Sequence, residues 1–135
     1  MHIETIKSTD FNGVERTNDY YFNLTKAEVM EMEMGTTGGY AEMLQQIIKA
    51  QDTPSIIKIF KELILKAYGV KSPDGLRFIK NDEIREEFSQ TQAYSELFMK
   101  LALDADAASK FVNGIMPADL ANDLANKSAA LQKVN

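Results

Sequence analysis

The pair Asn12-Gly13 lies between two stretches of alternating character, His2 to Phe11 and Val14 to Asn23. No other short segment constrains the chain as tightly. A type I′ turn needs positive φ at both central residues, and Asn-Gly tolerates it, so the spacing predicts a β-hairpin. With Asn12 and Gly13 as the loop, Phe11 faces Val14 and Ile3 faces Phe22. The period of two then gathers Ile3, Thr5, Thr9, Phe11, Val14, Tyr20 and Phe22 on one face. Ile6 and Tyr21 are left as apolar exceptions on the other. An isolated hairpin is marginal in water. This one must pack on helices or find another strand, and its free edges offer a route to pairing with a second copy of the chain.

The rest of the chain is helical in pattern. Thr25-Lys-Ala-Glu28 is a capping box opening a short helix, with Leu24 placed to staple onto Val29. Met30 and Met34 share one face of that helix and Met32 points away. Gly35 and Gly38-Gly39 punctuate it. From Tyr40 to Ala50, Tyr40, Met43, Leu44, Ile47 and Ile48 form an apolar stripe. Thr53 is the expected cap of the next helix, with Pro54 at its first position. Ile56, Ile57, Phe60, Leu63, Ile64 and Ala67, widened by Ile59 and Leu65, make it the helix expected to be most buried. Gly69 is read as its left-handed end. Pro73-Asp74-Gly75 is a turn signal that closes either a tight two-strand connection or a plain loop. Asn81 or Asp82 caps a short acidic helix running to Phe88. Two further amphipathic helices follow, broken at Asp104 to Asp106. Tyr94, Leu97, Phe98 and Leu101 share one stripe, and Phe111, Val112, Ile115 and Met116 the other. After Pro117 only Leu120, Leu124 and Leu131 give weak periodicity, so residues 119–135 are expected to be a loosely held helix or tail.

The expected fold is thus α+β and mostly helical: an N-terminal β-hairpin over 2–24 packed on a bundle of about five or six short helices over 25–118. A length of 135 residues suits one core. Apolar residues make up 44% and charged ones 26%, an ordinary globular balance. The net charge of -5 repels phosphate backbones and no basic patch relieves it, so nucleic acid is not an expected partner. No apolar run is long enough to span a bilayer, so a membrane is not expected either. No cysteine is present, which excludes disulfides and thiolate metal sites and suits a reducing compartment. The polar N-terminus lacks the apolar run of a signal peptide.

Candidate chemistry is thin. Asp82, Glu83, Glu86 and Glu87 resemble a carboxylate cluster, but their place at a helix start makes dipole compensation the simpler account. His2 is the lone histidine and sits at the N-terminus, and with no second histidine and no cysteine neither Ser-His nor Cys-His catalysis is expected. Gly35 to Gly39 lacks the Gly-Lys-Ser/Thr ending of a phosphate loop. No catalytic, cofactor or metal residues are expected, and the chain is not expected to be an enzyme. The methionines and aromatics carry more weight. Methionine fills irregular core gaps and also serves surfaces that accept variable apolar partners.

Three stretches carry a family resemblance: FNGVERTNDYYFNLTKAEVMEMEM from Phe11 to Met34 with GGYAEML after it, IIKIFKELILKAYGVKSPDGLRFIK from Ile56 to Lys80, and EFSQTQAYSELFMKLALDADAASKFVNGIMP from Glu87 to Pro117. Together they resemble the tail assembly chaperones of long-tailed bacteriophages of Gram-positive hosts. The likeness covers nearly the whole chain and weakens after about Leu120. It implies a non-enzymatic protein of the host cell cytoplasm that binds the tape measure protein and keeps it soluble until tail tube protein polymerises around it. Such proteins are shed and are absent from the finished virion. Many exist in a short form and a frameshifted longer form; this chain would be the short form, with the longer form and further copies of itself as partners. Met30, Met34, Tyr94, Phe98 and Met99, on apolar stripes, are the residues expected at the client or self-association surface. The alternatives are another small morphogenesis protein, a head–tail connector or tail terminator, and a host-directed adaptor.

Overall fold

A computed structural model describes residues 1–117, apart from the side chains of Gln45 and Ile48. The C-terminal segment expected to be a loose helix lies outside the described residues. Two strands, β1 (His2–Thr9) and β2 (Glu15–Phe22), form the hairpin. Then come α1 (Lys26–Met34), α2 (Tyr40–Lys49) and α3 (Thr53–Ala67). The short strands β3 (Tyr68–Lys71) and β4 (Phe78–Ile79) precede α4 (Asp82–Ser89), α5 (Gln92–Leu103) and α6 (Ala105–Ile115). The architecture is α+β and mostly helical, as expected. The sheet is larger than a hairpin: four antiparallel strands in the order β1-β2-β3-β4.

The hairpin register differs from the expected one by one residue. Ile3 pairs with Tyr21, and His2 with Phe22. The loop is Phe11-Asn12-Gly13, closed by Asp10 and Val14. The Asp10 N–H donates to the Val14 carbonyl (2.8 Å), and the Gly13 N–H donates to the Asp10 carbonyl (3.0 Å). This is a turn with a bulge at a left-handed glycine, and Gly13 (φ 80°) alone in it takes positive φ. Asp10 selects it. Its carboxylate accepts the N–H groups of Asn12 and Val14, both at 2.9 Å, and the Arg16 Nε–H at 2.6 Å. The Arg16 hydrogen bond, then that from Val14, holds the Asp10 carboxyl below its ordinary range.

A one-residue slip changes the face of a whole strand. Ile3, Thr5 and Thr9 therefore lie opposite to Tyr20 and Phe22, not with them. Ile6, the supposed exception, is a core residue. Glu4 also faces inward and is buried, held by His2 Nε2 at 2.8 Å and Lys100 Nζ at 3.3 Å.

Phe22 is fully buried at the centre, with ring centroids 5.3 Å from Phe111, 5.7 Å from Tyr68 and 5.8 Å from Phe88. Tyr68 and Phe88 stack at 4.1 Å. The hairpin exit is tied down twice: Asn23 N–H donates to the Ala67 carbonyl and Leu24 N–H to the Ile115 carbonyl. The capping box forms as expected, and its Glu28 also accepts from Lys80 Nζ at 2.7 Å, while Lys80 donates to the Asn23 carbonyl at 2.7 Å. Burial works to raise the Glu28 carboxyl, but bonds from Lys80 and Thr25 outweigh it and hold the group below its ordinary range.

Two helix ends depart from expectation. Asp52, not Thr53, caps α3, accepting from Ser55 N–H at 3.4 Å and from the Ser55 hydroxyl at 2.7 Å. Gly69 is not a left-handed helix end. It is a strand residue paired with Tyr21, and a Cβ there would sit 2.7 Å from the Phe78 ring. The chain thus passes from α3 straight into β3. Pro73-Asp74-Gly75 closes β3 on β4, the two-strand alternative. Asn81 caps α4 and Asp104 caps α6.

Candidate binding surface

The wide apolar stripe of α3 is covered unevenly. Leu63, Ile64 and Ala67 in its C-terminal half are buried. Towards its N-terminus Ile56 and Phe60 are only half-buried, and Ile57 is 42% exposed. The α2–α3 connection sets this up. Gln51 takes a left-handed φ of 52° and Asp52 N–H reaches back to the Ile47 carbonyl (3.4 Å), reversing the chain within a few residues. That lays α2 beside the first half of α3 without closing over it. Leu44 and Ile47 of α2 and Val112 of α6 complete the walls, all half-buried, over a floor of Ile59 and Leu63.

The result is a groove of about 110 Å³ whose lining, among the described residues, is apolar side chains alone. A cavity of ~150 Å³ with such a lining holds a benzene-sized guest, so this groove suits one or two branched aliphatic side chains. Among the described residues its lining carries no titratable side chain and no side-chain hydrogen-bonding group. It can take up part of an apolar helix face; it has nothing with which to move a proton or attack a carbonyl. The period placed each of these residues on a stripe but could not say which stripes stay uncovered. The available signal was the stripe of α3 itself, wider than one packed neighbour can hide.

The five residues expected at a binding surface divide. Met30 and Met34 are 53% and 81% exposed on α1, while Met32 faces the core. Met99 on α5 is 49% exposed. Tyr94 and Phe98 on the same helix are half-buried against the core. Their rings lie 6.1 Å apart, and Tyr94 meets Phe88 edge-on at 5.6 Å. Burial pushes the Tyr94 phenol up. None of the five lines the groove. Of the acidic run, Asp82 and Glu83 occupy the first turn of α4. Among the described residues no group of three or more His, Cys, Asp or Glu side chains could hold a metal ion, and no helix is long and apolar enough to cross a membrane.

A family model described as phage tail assembly chaperone matches residues 1–135. The chain belongs to that family. No curated protein and no solved structure matches it. For a tail assembly chaperone, a groove without reactive groups is what a binding role needs, and exposed methionines on two helices add adaptable surface beside the rigid core.

Proposed function

We propose that this tail assembly chaperone acts by binding alone. It seats an apolar helix face of the tape measure protein in the groove between α2, α3 and α6, and so keeps that protein soluble until tail tube protein polymerises around it. The groove is the observation that carries the reading: seven apolar residues from three helices leave a slot of side-chain size open to solvent. Family membership favours this reading over a connector, a tail terminator or a host-directed adaptor. The exposed Met30, Met34 and Met99 would add further client contacts, with Tyr94 and Phe98 half-buried on the same helix as Met99. The work takes place in the host cell cytoplasm, and the chaperone leaves before the virion is complete. Several copies act along one client, together with the frameshifted longer form.

Co-expression with the tape measure protein of the same genome, followed by pull-down and light scattering, tests this. The wild-type chain should recover soluble client carrying several copies of the chaperone. Ile56→Asp and Phe60→Asp, each checked for an intact unfolding transition, should lose the client, and Met99→Asp should weaken its capture. An insoluble client with the wild-type chain, or full capture by folded groove variants, would overturn the reading.

A further inference from the structure

The sheet begins with an edge that nothing blunts. The Asp10 N–H bonds the Val14 carbonyl, and hydrogen-bonded pairs alternate along an antiparallel ladder. Ser8, Ile6, Glu4 and His2 therefore turn their backbone groups towards β2. Ile3, Thr5, Lys7 and Thr9 turn theirs away, and among the described residues no hydrogen bond reaches those groups. Natural edge strands are usually kept short or broken by proline or a bulge. The opposite edge, β4, has two residues. β1 has eight, contains no proline and pairs without interruption from His2 to Thr9. On the outer face of the hairpin Lys7 and Asp19 are both exposed. Among the described residues Lys7 has no ion-pair partner, and Asp19 accepts only the Thr5 hydroxyl, at 2.6 Å.

We infer that β1 pairs antiparallel with β1 of a second copy, about a two-fold axis at Ile6. Ile3 then meets the second copy's Thr9, and Thr5 its Lys7, so every outward N–H and C=O from Ile3 to Thr9 finds a partner. A pairing centred on Thr5 would instead set Thr9 against Met1, outside the strand. Charge selects the same occupant. With the axis at Ile6, Lys7 lies across Thr5 from the second copy's Asp19, their Cα atoms about 10 Å apart on one face. That span is within reach of the two side chains together. The two-fold makes this contact twice, an isologous arrangement in which one patch complements itself. One particle then carries two grooves, which can engage and release a client one at a time. That consequence rests on the groove being the client site; the pairing does not.

Sedimentation of the full-length chain alone, over a range of concentrations, tests the pairing without any client. The wild type should show a monomer–dimer equilibrium. Thr5→Pro removes an N–H that faces outward, where an edge strand tolerates proline. It deletes two symmetry-related bonds and should weaken the dimer about thirtyfold, with the unfolding transition of the monomer retained. Lys7→Glu and Asp19→Lys, each alone, set like charges together twice and should weaken it about tenfold. An equimolar mixture of these two variants should recover wild-type association, because both contacts are opposite in sign in the mixed dimer. Mixing cannot repair a contact within one chain, so this arm decides the matter even if Thr5→Pro fails to fold. A wild-type chain that stays monomeric overturns the inference; if client capture is then lost with Thr5→Pro, a strand of the client is the occupant instead. A dimer indifferent to a folded Thr5→Pro, or single charge variants that mixing does not rescue, also overturns it.

Discussion

Replacing Ile6 and Ile3 by alanine, one at a time, tests the strand register. The two residues exchange roles between the observed pairing and the pairing shifted by one. Ile6 is 7% exposed and packs in the core, whereas Ile3 is 51% exposed on the opposite face. Each change removes three carbons, worth about 2.4 kcal/mol at ~0.8 kcal/mol per carbon. At Ile6 nearly all of that is lost and a cavity adds to it, for a total of about 3–4 kcal/mol. At Ile3 half the side chain is already in water and no closed cavity forms, so the loss is about 1 kcal/mol. Urea unfolding followed by circular dichroism, at one protein concentration, reads the difference. With a slope of ~2 kcal/mol/M the midpoint should fall by about 1.5–2 M for Ile6→Ala and about 0.5 M for Ile3→Ala. Equal losses, or a larger one at Ile3, would refute the register and with it the choice of inner face.

The other expectations can be read with the same assay. Glu28→Ala removes half of the capping box and leaves the Lys80 ammonium, with 11% of its side chain exposed, only the Asn23 carbonyl as hydrogen-bond partner beside the Phe78 ring, so it should cost about 2 kcal/mol. Lys80→Met leaves the Glu28 carboxylate without its counter-ion, but that group is more exposed (25%) and keeps its Thr25 partners, so the change should cost less, about 1 kcal/mol; the reverse order of losses would contradict this account. Because the folded-state pKa of Glu28 is lowered, its stabilisation is complete above the unfolded value near 4.5 and disappears as pH falls through the folded one. Between pH 6 and pH 3 the wild-type midpoint should therefore fall further than that of Glu28→Gln. Gln51→Gly removes a side chain from a left-handed position and should raise stability by about 0.5–1 kcal/mol, seen as a higher midpoint with unchanged slope.

Local chemistry in this chain was legible at several helix starts, though not at α3, where Asp52 rather than Thr53 is the cap. Thr25 and Glu28 form the capping box, Asn81 of the two residues offered caps α4, and Leu97, Leu101, Phe111 and Ile115 are buried on their stripes. Competition between neighbours was harder to read. Asn12-Gly13 admits two loops, and the choice fell to Asp10, whose carboxylate satisfies two loop N–H groups and an arginine. Likewise Gly69 has the composition of a helix end but serves a strand, because β2 offers it a partner and Phe78 lies where its side chain would be. Which part of the α3 stripe would stay uncovered was not legible. Ile57, Phe60 and Ile64 read alike on the wide stripe of α3, yet their exposure runs from open to fully buried according to how α2 and α6 come to rest.

The size of the groove bears on how such a chaperone could let go. Seating one leucine gains about 1.5–3 kcal/mol and seating two about 3–6 kcal/mol. Association costs at least about 4 kcal/mol in lost translational and rotational freedom, so a single groove holds a free helix no better than weakly. A client with many apolar turns would still be held, because each further copy engages a chain already surrounded by chaperone, at a high local concentration. Each contact would remain individually labile, and a polymerising tube could strip the copies one at a time, since no step would require breaking more than one groove's worth of contacts. A deeper pocket would bind one site tightly and surrender this property. Enlarging the anchor therefore provides a test on the function side: Val112→Ala should raise the affinity of a single site for bulky side chains while slowing release of the client to assembling tube protein. If release were unaffected while affinity rose, departure of the chaperone would depend on something other than the weakness of its contacts.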